Sequence, residues 1–396
     1  MKAIERKYLL PFVLVTSLFA LWGLANNMTD TLLAAFKRIM QMSDTQTSFI
    51  QMAFYGAYFC LALPAALFIR KYSYKSGVVL GLSLYAAGAL MFLPAARIES
   101  YAFYLIAIYI LAAGCSVLET TANPYIMSMG SSETATRRLN IAQSFNPIGS
   151  ILGILVSKFF ILQDISLTSI SGTYAAVGAV LLVIMVVMLF AKMPEGKEAE
   201  QQNSLKATFH RLFKNKKYTW GVVAQFFYVG AQIGVWSFTI RLVMKELDMV
   251  EAQAATIYLI SIIGFCVSRF VYTWLMKYAA PERLLFVGAV LSAVCSLMVV
   301  FTGGWTAVVA LILISVFMSL MFPTIYGIAL GSMSGTEGDI KIGASGIIMA
   351  ILGGALLTPV QGMVSDAAGV NLSYIVPFGC FVVVLIYALS CNKQKA

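Results

Sequence analysis

Charge is scarce in this chain. Asp, Glu, Lys and Arg together make up 11% of its 396 residues, against about 25% in a soluble domain. With 60% apolar residues and a mean hydropathy of +0.86, there is too little polar surface to clothe a water-soluble globule. Histidine is scarcer still: the only one, His210, sits in a charged stretch and cannot build a metal or haem site alone. The six cysteines (Cys60, Cys115, Cys266, Cys295, Cys380 and Cys391) are scattered, mostly in apolar segments, and form no CxxC pair. That indicates neither a disulfide framework nor a metal site. The chain also lacks a GxxxxGK[ST] phosphate loop, so ATP is not its direct energy source, and it shows no nucleophile–base–acid arrangement of an enzyme. No cofactor is expected.

What the chain does have is apolar runs of bilayer-spanning length. A helix that crosses the hydrocarbon core needs about 20 mostly apolar residues. Twelve such spans can be read: 9–36, 46–69, 76–95, 101–129, 138–162, 172–192, 218–243, 253–277, 284–302, 305–332, 342–364 and 371–391. The basic start and apolar core of MKAIERKYLLPFVLVTSLFALWG imitate a signal peptide, but the apolar stretch runs too long and many spans follow. Connections are short except for residues 193–217, a polar linker after the sixth span. It divides the chain into an N-terminal half (1–192) and a C-terminal half (218–396). The fold class expected is therefore an all-α membrane protein of twelve transmembrane helices.

The net charge of +10 is a topology signal, not a sign of nucleic-acid binding. Lys and Arg concentrate at the N-terminus (Arg6, Lys7), in the second loop (Arg70, Lys71, Lys75), in the fourth (Arg137, Arg138), in the long linker, in the eighth (Lys277, Arg283) and in the tail (Lys393, Lys395). The alternate loops are poor in them. Positive residues stay on the cytoplasmic side, which places both termini and the linker inside, with anionic lipid as a secondary contact.

Polar residues inside the spans carry the functional reading, because a charge at membrane depth costs about 2.5–3.5 kcal/mol on insertion scales. Glu119, in LAAGCSVLETTANPY, lies roughly midway between Glu99 and Arg137, with about 27–30 Å of helix on either side. Asn123 follows one turn later on the same face, and Pro124 then removes a backbone hydrogen bond. Asp30 is shallower, about 10 Å along the helix from Lys37. Trp22, Asn26 and Asp30 recur every four residues, with Asn27 beside them. Neither carboxylate has an obvious Lys or Arg partner in the first six spans, so both can exchange a proton. The alternatives are an interfacial residue for Asp30 and a structural hydrogen-bond anchor for Glu119. Gln143 and Asn146, in NIAQSFNPIGSILG, could bind hydroxyl groups or bridge helices. In the seventh span Gln225, Tyr228 and Gln232 share a face, with Trp236 beyond. Amides and aromatic rings together suit a sugar; the rings could also form an interfacial belt. Arg269, a turn or two above the inner end of the eighth span, reads as a lock on helix ends.

These features favour a proton-coupled carrier of an uncharged polyol. A channel would carry charge rings or filter repeats, a receptor a soluble output domain, and a drug exporter a more apolar cavity. The fourth span (NPYIMSMG, 123–130) and the tenth (FPTIYGIALG, 322–331) each place a proline in a span and end in glycine. Six plus six spans, a central linker and half-to-half similarity suggest the major facilitator architecture. The stretches LFALWGLANNMTDTLL, AAGCSVLETTANPY, LNIAQSFNPIGS, AQFFYVGAQIGVWSF and TPVQGMVSDAAG resemble the fucose–galactose–glucose:proton symporter family of that superfamily. LANNMTD and LETTANPY resemble its fucose branch more than its glucose/galactose branch, whereas the loop IRKYSYKSG lacks the aspartate usual in facilitators. The resemblance implies a bacterial inner-membrane symporter that imports L-fucose or a closely related neutral monosaccharide with a proton. Glucose, galactose or N-acetylglucosamine are the alternatives. It also implies that Asp30 and Glu119 couple protonation to transport, Glu119 nearer the sugar, and that Asn27, Gln143 and Asn146 line its path. One chain, acting as a monomer in the lipid bilayer, would suffice.

Overall fold

A computed structural model describes residues 4–39, 41, 44–161, 166–194, 204–333 and 336–393; within these, the side chains at 6, 26, 29–38, 44–49, 51, 158, 251–252 and 392–393 lie outside the described set. The described chain is helical from end to end. The elements are α1 (Leu9–Ile39), α2 (Asp44–Lys71), α3 (Tyr74–Leu90), α4 (Phe92–Ile98), α5 (Tyr101–Ser128), α6 (Ala135–Gln143), α7 (Asn146–Val156), α8 (Leu167–Phe190), α9 (Leu205–Lys214), α10 (Lys216–Leu247), α11 (Glu251–Leu275), α12 (Pro281–Phe301), α13 (Gly304–Met318), α14 (Met321–Gly331), α15 (Glu337–Met349), α16 (Leu352–Ala368), α17 (Val370–Ser373) and α18 (Ile375–Lys393). Among the described residues eleven stretches are long and apolar enough to cross a bilayer, and Leu9–Ala25 of α1 is a shorter apolar helix before them. Together they correspond one for one to the twelve spans of the sequence. Their outward faces are apolar: Phe190 is 84% and Phe301 79% exposed, which only lipid tolerates over so many helices. The polar linker contains a helix of its own, α9, which the composition of 193–217 did not suggest.

Among the described residues five spans are broken rather than continuous. The third breaks at Met91 between α3 and α4, the fifth at Ser144–Phe145 between α6 and α7, the tenth at Ser319–Leu320 between α13 and α14, the eleventh at Ala350–Ile351 between α15 and α16, and the twelfth at Tyr374 between α17 and α18. In four of them a proline sits in the first turn after the break: Pro94, Pro147, Pro323 and Pro377. There the missing N–H costs the new helix nothing, but the carbonyl four residues upstream loses its donor. The eleventh span breaks without proline; tight turn bonds from Gly353 N–H to the Ala350 carbonyl and from Gly354 N–H to the Ile351 carbonyl, each 3.0 Å, bridge the gap. Other prolines (Pro64, Pro124, Pro359) lie inside helices that continue past them.

The chain forms two compact units. One holds Met1–Ser132, Ile148–Thr208 and Gly335–Met349, the other Glu133–Pro147, Phe209–Ser334 and Ala350–Ala396. The fifth and eleventh spans thus contribute their opening segments to the unit that does not hold their remainder; the fifth changes unit after Pro147, just past its break, and the eleventh at its break. In the first unit α7 runs so close to α1 that a Cβ on Gly149 would stand 1.8 Å from the Ala20 carbonyl oxygen. In the second, α16 approaches α10 in the same way, with a Cβ on Gly353 placed 1.9 Å from the Phe226 carbonyl oxygen. Only glycine permits such backbone contact.

Candidate functional site

Each unit contains a buried polar cluster. In the first it is built on α5, which Ser100 caps by accepting from the Phe103 N–H. Halfway along that helix Glu119 is 2% exposed. Among the described residues its Oε2 has no hydrogen-bond partner and no Lys or Arg forms an ion pair with it. Leaving a carboxylate oxygen so placed is expensive unless something binds there. Asn123, fully buried one turn on, donates from Nδ2 to the Glu119 backbone carbonyl at 2.9 Å. The phenol of Tyr58, from α2, and the Cys115 thiol lie close enough to Glu119 to feel its charge, with Trp22 of α1 beside the phenol. Ser116 donates to the Tyr58 carbonyl at 3.3 Å and holds α5 against α2. The Tyr58 and Thr120 hydroxyls are also buried without partners, so three polar groups around one turn of α5 are left incomplete. Asn27, half-buried on α1, donates to the Gly23 carbonyl at 3.3 Å and packs beside Gly153 of α7. Asp30 lies on α1, but its side chain is outside the described residues.

The second unit holds the remaining candidates. Gln143 is buried at the end of α6, and Asn146 is half-buried at the start of α7. The two amides therefore stand on either side of the break in the fifth span. Pro147 accounts for it. On α10 Gln225 is fully buried and, among the described residues, neither its oxygen nor its nitrogen has a partner. Tyr228 is likewise buried, its phenol facing the Arg269 guanidinium. Gln232 and Trp236 are half-buried further along. The Trp236 indole is already engaged, donating to Ser315 at 3.3 Å, and Ser315 in turn accepts from Ser261 at 2.7 Å.

Arg269 of α11 is 2% exposed and has no carboxylate partner among the described residues. Its Nε donates to the Ser319 carbonyl at 2.7 Å and its Nη1 to the Gln143 carbonyl at 2.9 Å. Its guanidinium carbon lies 4.6 Å from the centre of the Phe265 ring. It binds backbone at helix ends, as its position in the sequence suggests. Arg241 and Asp366 are both exposed, in keeping with places at span ends.

The sequence pointed to Glu119, Asn123 and the amides, but not to Tyr58 or Thr120. Their signal was faint: a tyrosine deep within an apolar span, and a threonine next to the glutamate.

A polytopic helical bundle with incomplete polar groups buried at mid-span, and no catalytic constellation, defines the class of a membrane carrier. The chain belongs to the Major Facilitator Superfamily, whose family model matches residues 13–358. It is 43% identical to the L-fucose-proton symporter of Haemophilus influenzae, with 99% of each chain covered. It is 36% identical to the L-fucose-proton symporter of Escherichia coli, covering 97% of this chain and 93% of that one. The crystal structure of the transporter FucP in the outward conformation superposes with a TM-score of 0.89 at 36% identity, covering 98% of this chain and 99% of that one.

Proposed function

We propose that the protein is a proton-coupled symporter that imports L-fucose, or a closely related neutral monosaccharide, by alternating access. The observation that carries this reading is the Glu119 carboxylate, out of water, with an oxygen that no described residue satisfies. A sugar hydroxyl can donate to it, and a proton can neutralise it. The amides of Asn27, Asn123, Gln143, Asn146, Gln225 and Gln232 offer paired donors and acceptors suited to hydroxyls, while Tyr228 and Trp236 offer ring faces for the CH side of a pyranose. Asp30 is the second proton site. A carrier of this kind needs two arrangements biased differently by its ligands. Protonation removes a buried charge and permits closure over the sugar; release of the proton inside restores the charge and opens the cytoplasmic side.

The protein sits in the cytoplasmic membrane with both termini inside, works as a monomer, and uses residues 1–192 and 218–396 as its two halves with 193–217 between them. The test is uptake of a panel of radiolabelled sugars into proteoliposomes, with and without an inward proton gradient. L-Fucose accumulation that a protonophore abolishes supports the reading. Preferred uptake of glucose, galactose or N-acetylglucosamine reassigns the substrate, and gradient-independent uptake removes the coupling.

A further inference from the structure

The two carbonyls that Arg269 binds are not arbitrary. An α-helical carbonyl at position i accepts from the amide at i+4. For Gln143 that amide would belong to residue 147, and for Ser319 to residue 323. Both are prolines, and neither has an N–H. The guanidinium of Arg269 therefore supplies, from one side chain, the donors that Pro147 and Pro323 each remove. A planar fork with several N–H groups can serve two acceptors at once, whereas an ammonium cannot hold the same pair in fixed directions. The setting is dry and braced. Ser268 next to Arg269 bonds the Ser319 hydroxyl at 2.9 Å, and Thr273, one turn further, lies 3.5 Å from the Ser144 hydroxyl. In contrast, the breaks at Met91 and Ala350 are served by no such cation among the described residues.

We propose that Arg269 is a positioning residue for transport: by closing the proline-vacated carbonyl of Gln143 it fixes the break of the fifth span, and so sets where the Gln143 and Asn146 side chains stand on either side of it. This rests on the reading of those two amides as sugar ligands. Loss of Arg269 removes one donor from each of two carbonyls and lets the α6–α7 junction drift. The sugar then meets misplaced amides, so KM rises more than Vmax falls.

The experiment is a proline-for-arginine suppression in full-length protein. Arg269→Lys is expected to raise the KM for sugar uptake about tenfold, the scale of a lost charge-assisted hydrogen bond, with Vmax changed less than threefold. Adding Pro147→Ala, which returns an amide to the Gln143 carbonyl, should bring KM back to within about threefold of the parent. Adding Pro323→Ala should restore thermal stability but not KM, because Ser319 is not next to the amides. Pro94→Ala, a first-turn proline at a break Arg269 does not touch, should restore neither. If Arg269→Lys is not recovered folded, Pro147→Ala and Pro323→Ala should each raise the yield of monodisperse protein while Pro94→Ala does not, and the recovered Arg269→Lys/Pro147→Ala protein should show a KM within about threefold of the parent where Arg269→Lys/Pro323→Ala does not. Equal rescue by Pro94→Ala, or no rescue by Pro147→Ala, overturns the proposal. So does an Arg269→Lys protein with reduced yield but unchanged KM. Gln143→Ala and Asn146→Ala are measured alongside. If they leave KM untouched, the sugar-ligand reading fails; if they raise it while Arg269→Lys does not, only the role of Arg269 fails.

Discussion

Glu119 and Arg269 are both charge-bearing side chains buried at 2% exposure inside spans, yet the protein treats them in opposite ways. Arg269 is tied to two backbone carbonyls and lies against a phenylalanine ring. Glu119 keeps an oxygen that no described group satisfies, next to a tyrosine and a threonine in the same condition. A buried charge that is fully bonded stabilises one arrangement of the helices around it. One left incomplete awaits a ligand, and its cost in the empty protein is part of how that ligand is selected. The contrast assigns chemistry to the first unit's charge and architecture to the second's.

The harshest way to break this contrast is at the other carboxylate. Asp30→Asn should abolish accumulation of sugar against its gradient while exchange of labelled for unlabelled sugar persists, because a fixed neutral side chain cannot release its proton inside. Counterflow and gradient-driven uptake in the same proteoliposomes separate the two. Full accumulation by the variant would remove Asp30 from coupling.

Next in size is Glu119→Gln, which keeps the shape and removes the exchangeable proton. Because the sugar-binding form carries the neutral acid, sugar affinity should fall by up to about tenfold, the scale of a neutral hydrogen bond. Its pH dependence should also vanish. If sugar and proton favour the same form of the carrier, reciprocity requires the parent's affinity to rise as pH falls; the variant's affinity should be flat. Calorimetric titrations at several pH values check both statements, and a flat parent would dissolve the contrast with Arg269.

A structural comparison between the units has a smaller expected effect. Gly149→Ala and Gly353→Ala each drive a methyl into a backbone carbonyl, at 1.8 and 1.9 Å respectively, where neither side can yield cheaply. Each should cost about 1–3 kcal/mol of stability, read as a lower melting temperature in detergent. Equal losses are expected, since the α7–α1 and α16–α10 approaches are built alike.

The spans themselves were legible because lipid leaves a helix little freedom: length, hydropathy and the distribution of Lys and Arg suffice. Glu119 stood out for the same reason, as a charge where charge is expensive. The breaks were not legible. Pro64, Pro124 and Pro359 sit in helices that run on, while Pro94, Pro147, Pro323 and Pro377 follow breaks. A proline in a span announces a freed carbonyl, but whether the helix kinks or stops depends on which neighbour answers that carbonyl. For Gln143 and Ser319 the answer comes from Arg269, 126 and 50 residues away in sequence, and no local pattern holds that information. The same break separates Gln143 from Asn146, so their sequence spacing does not fix how the two amides are disposed to one another. The eleventh span shows the other case, in which Gly353 and Gly354 make the turn from local bonds and no proline marks it.

The smallest expected effect is at Gln225, and its sign is what makes it informative. Both polar atoms of this amide are buried without partners on α10. If it served only packing, Gln225→Met, of similar length and without the unsatisfied groups, would be a pure gain. Removing a buried unpartnered donor and acceptor should raise stability by about 1 kcal/mol. If the amide is kept for a sugar hydroxyl, the same change should weaken sugar binding about three- to tenfold, the scale of a neutral hydrogen bond. The two effects together, a higher melting temperature with a weaker affinity, would mark Gln225 as belonging with Glu119 and not with Arg269. A stabilised protein with undiminished affinity would return it to the helix interface.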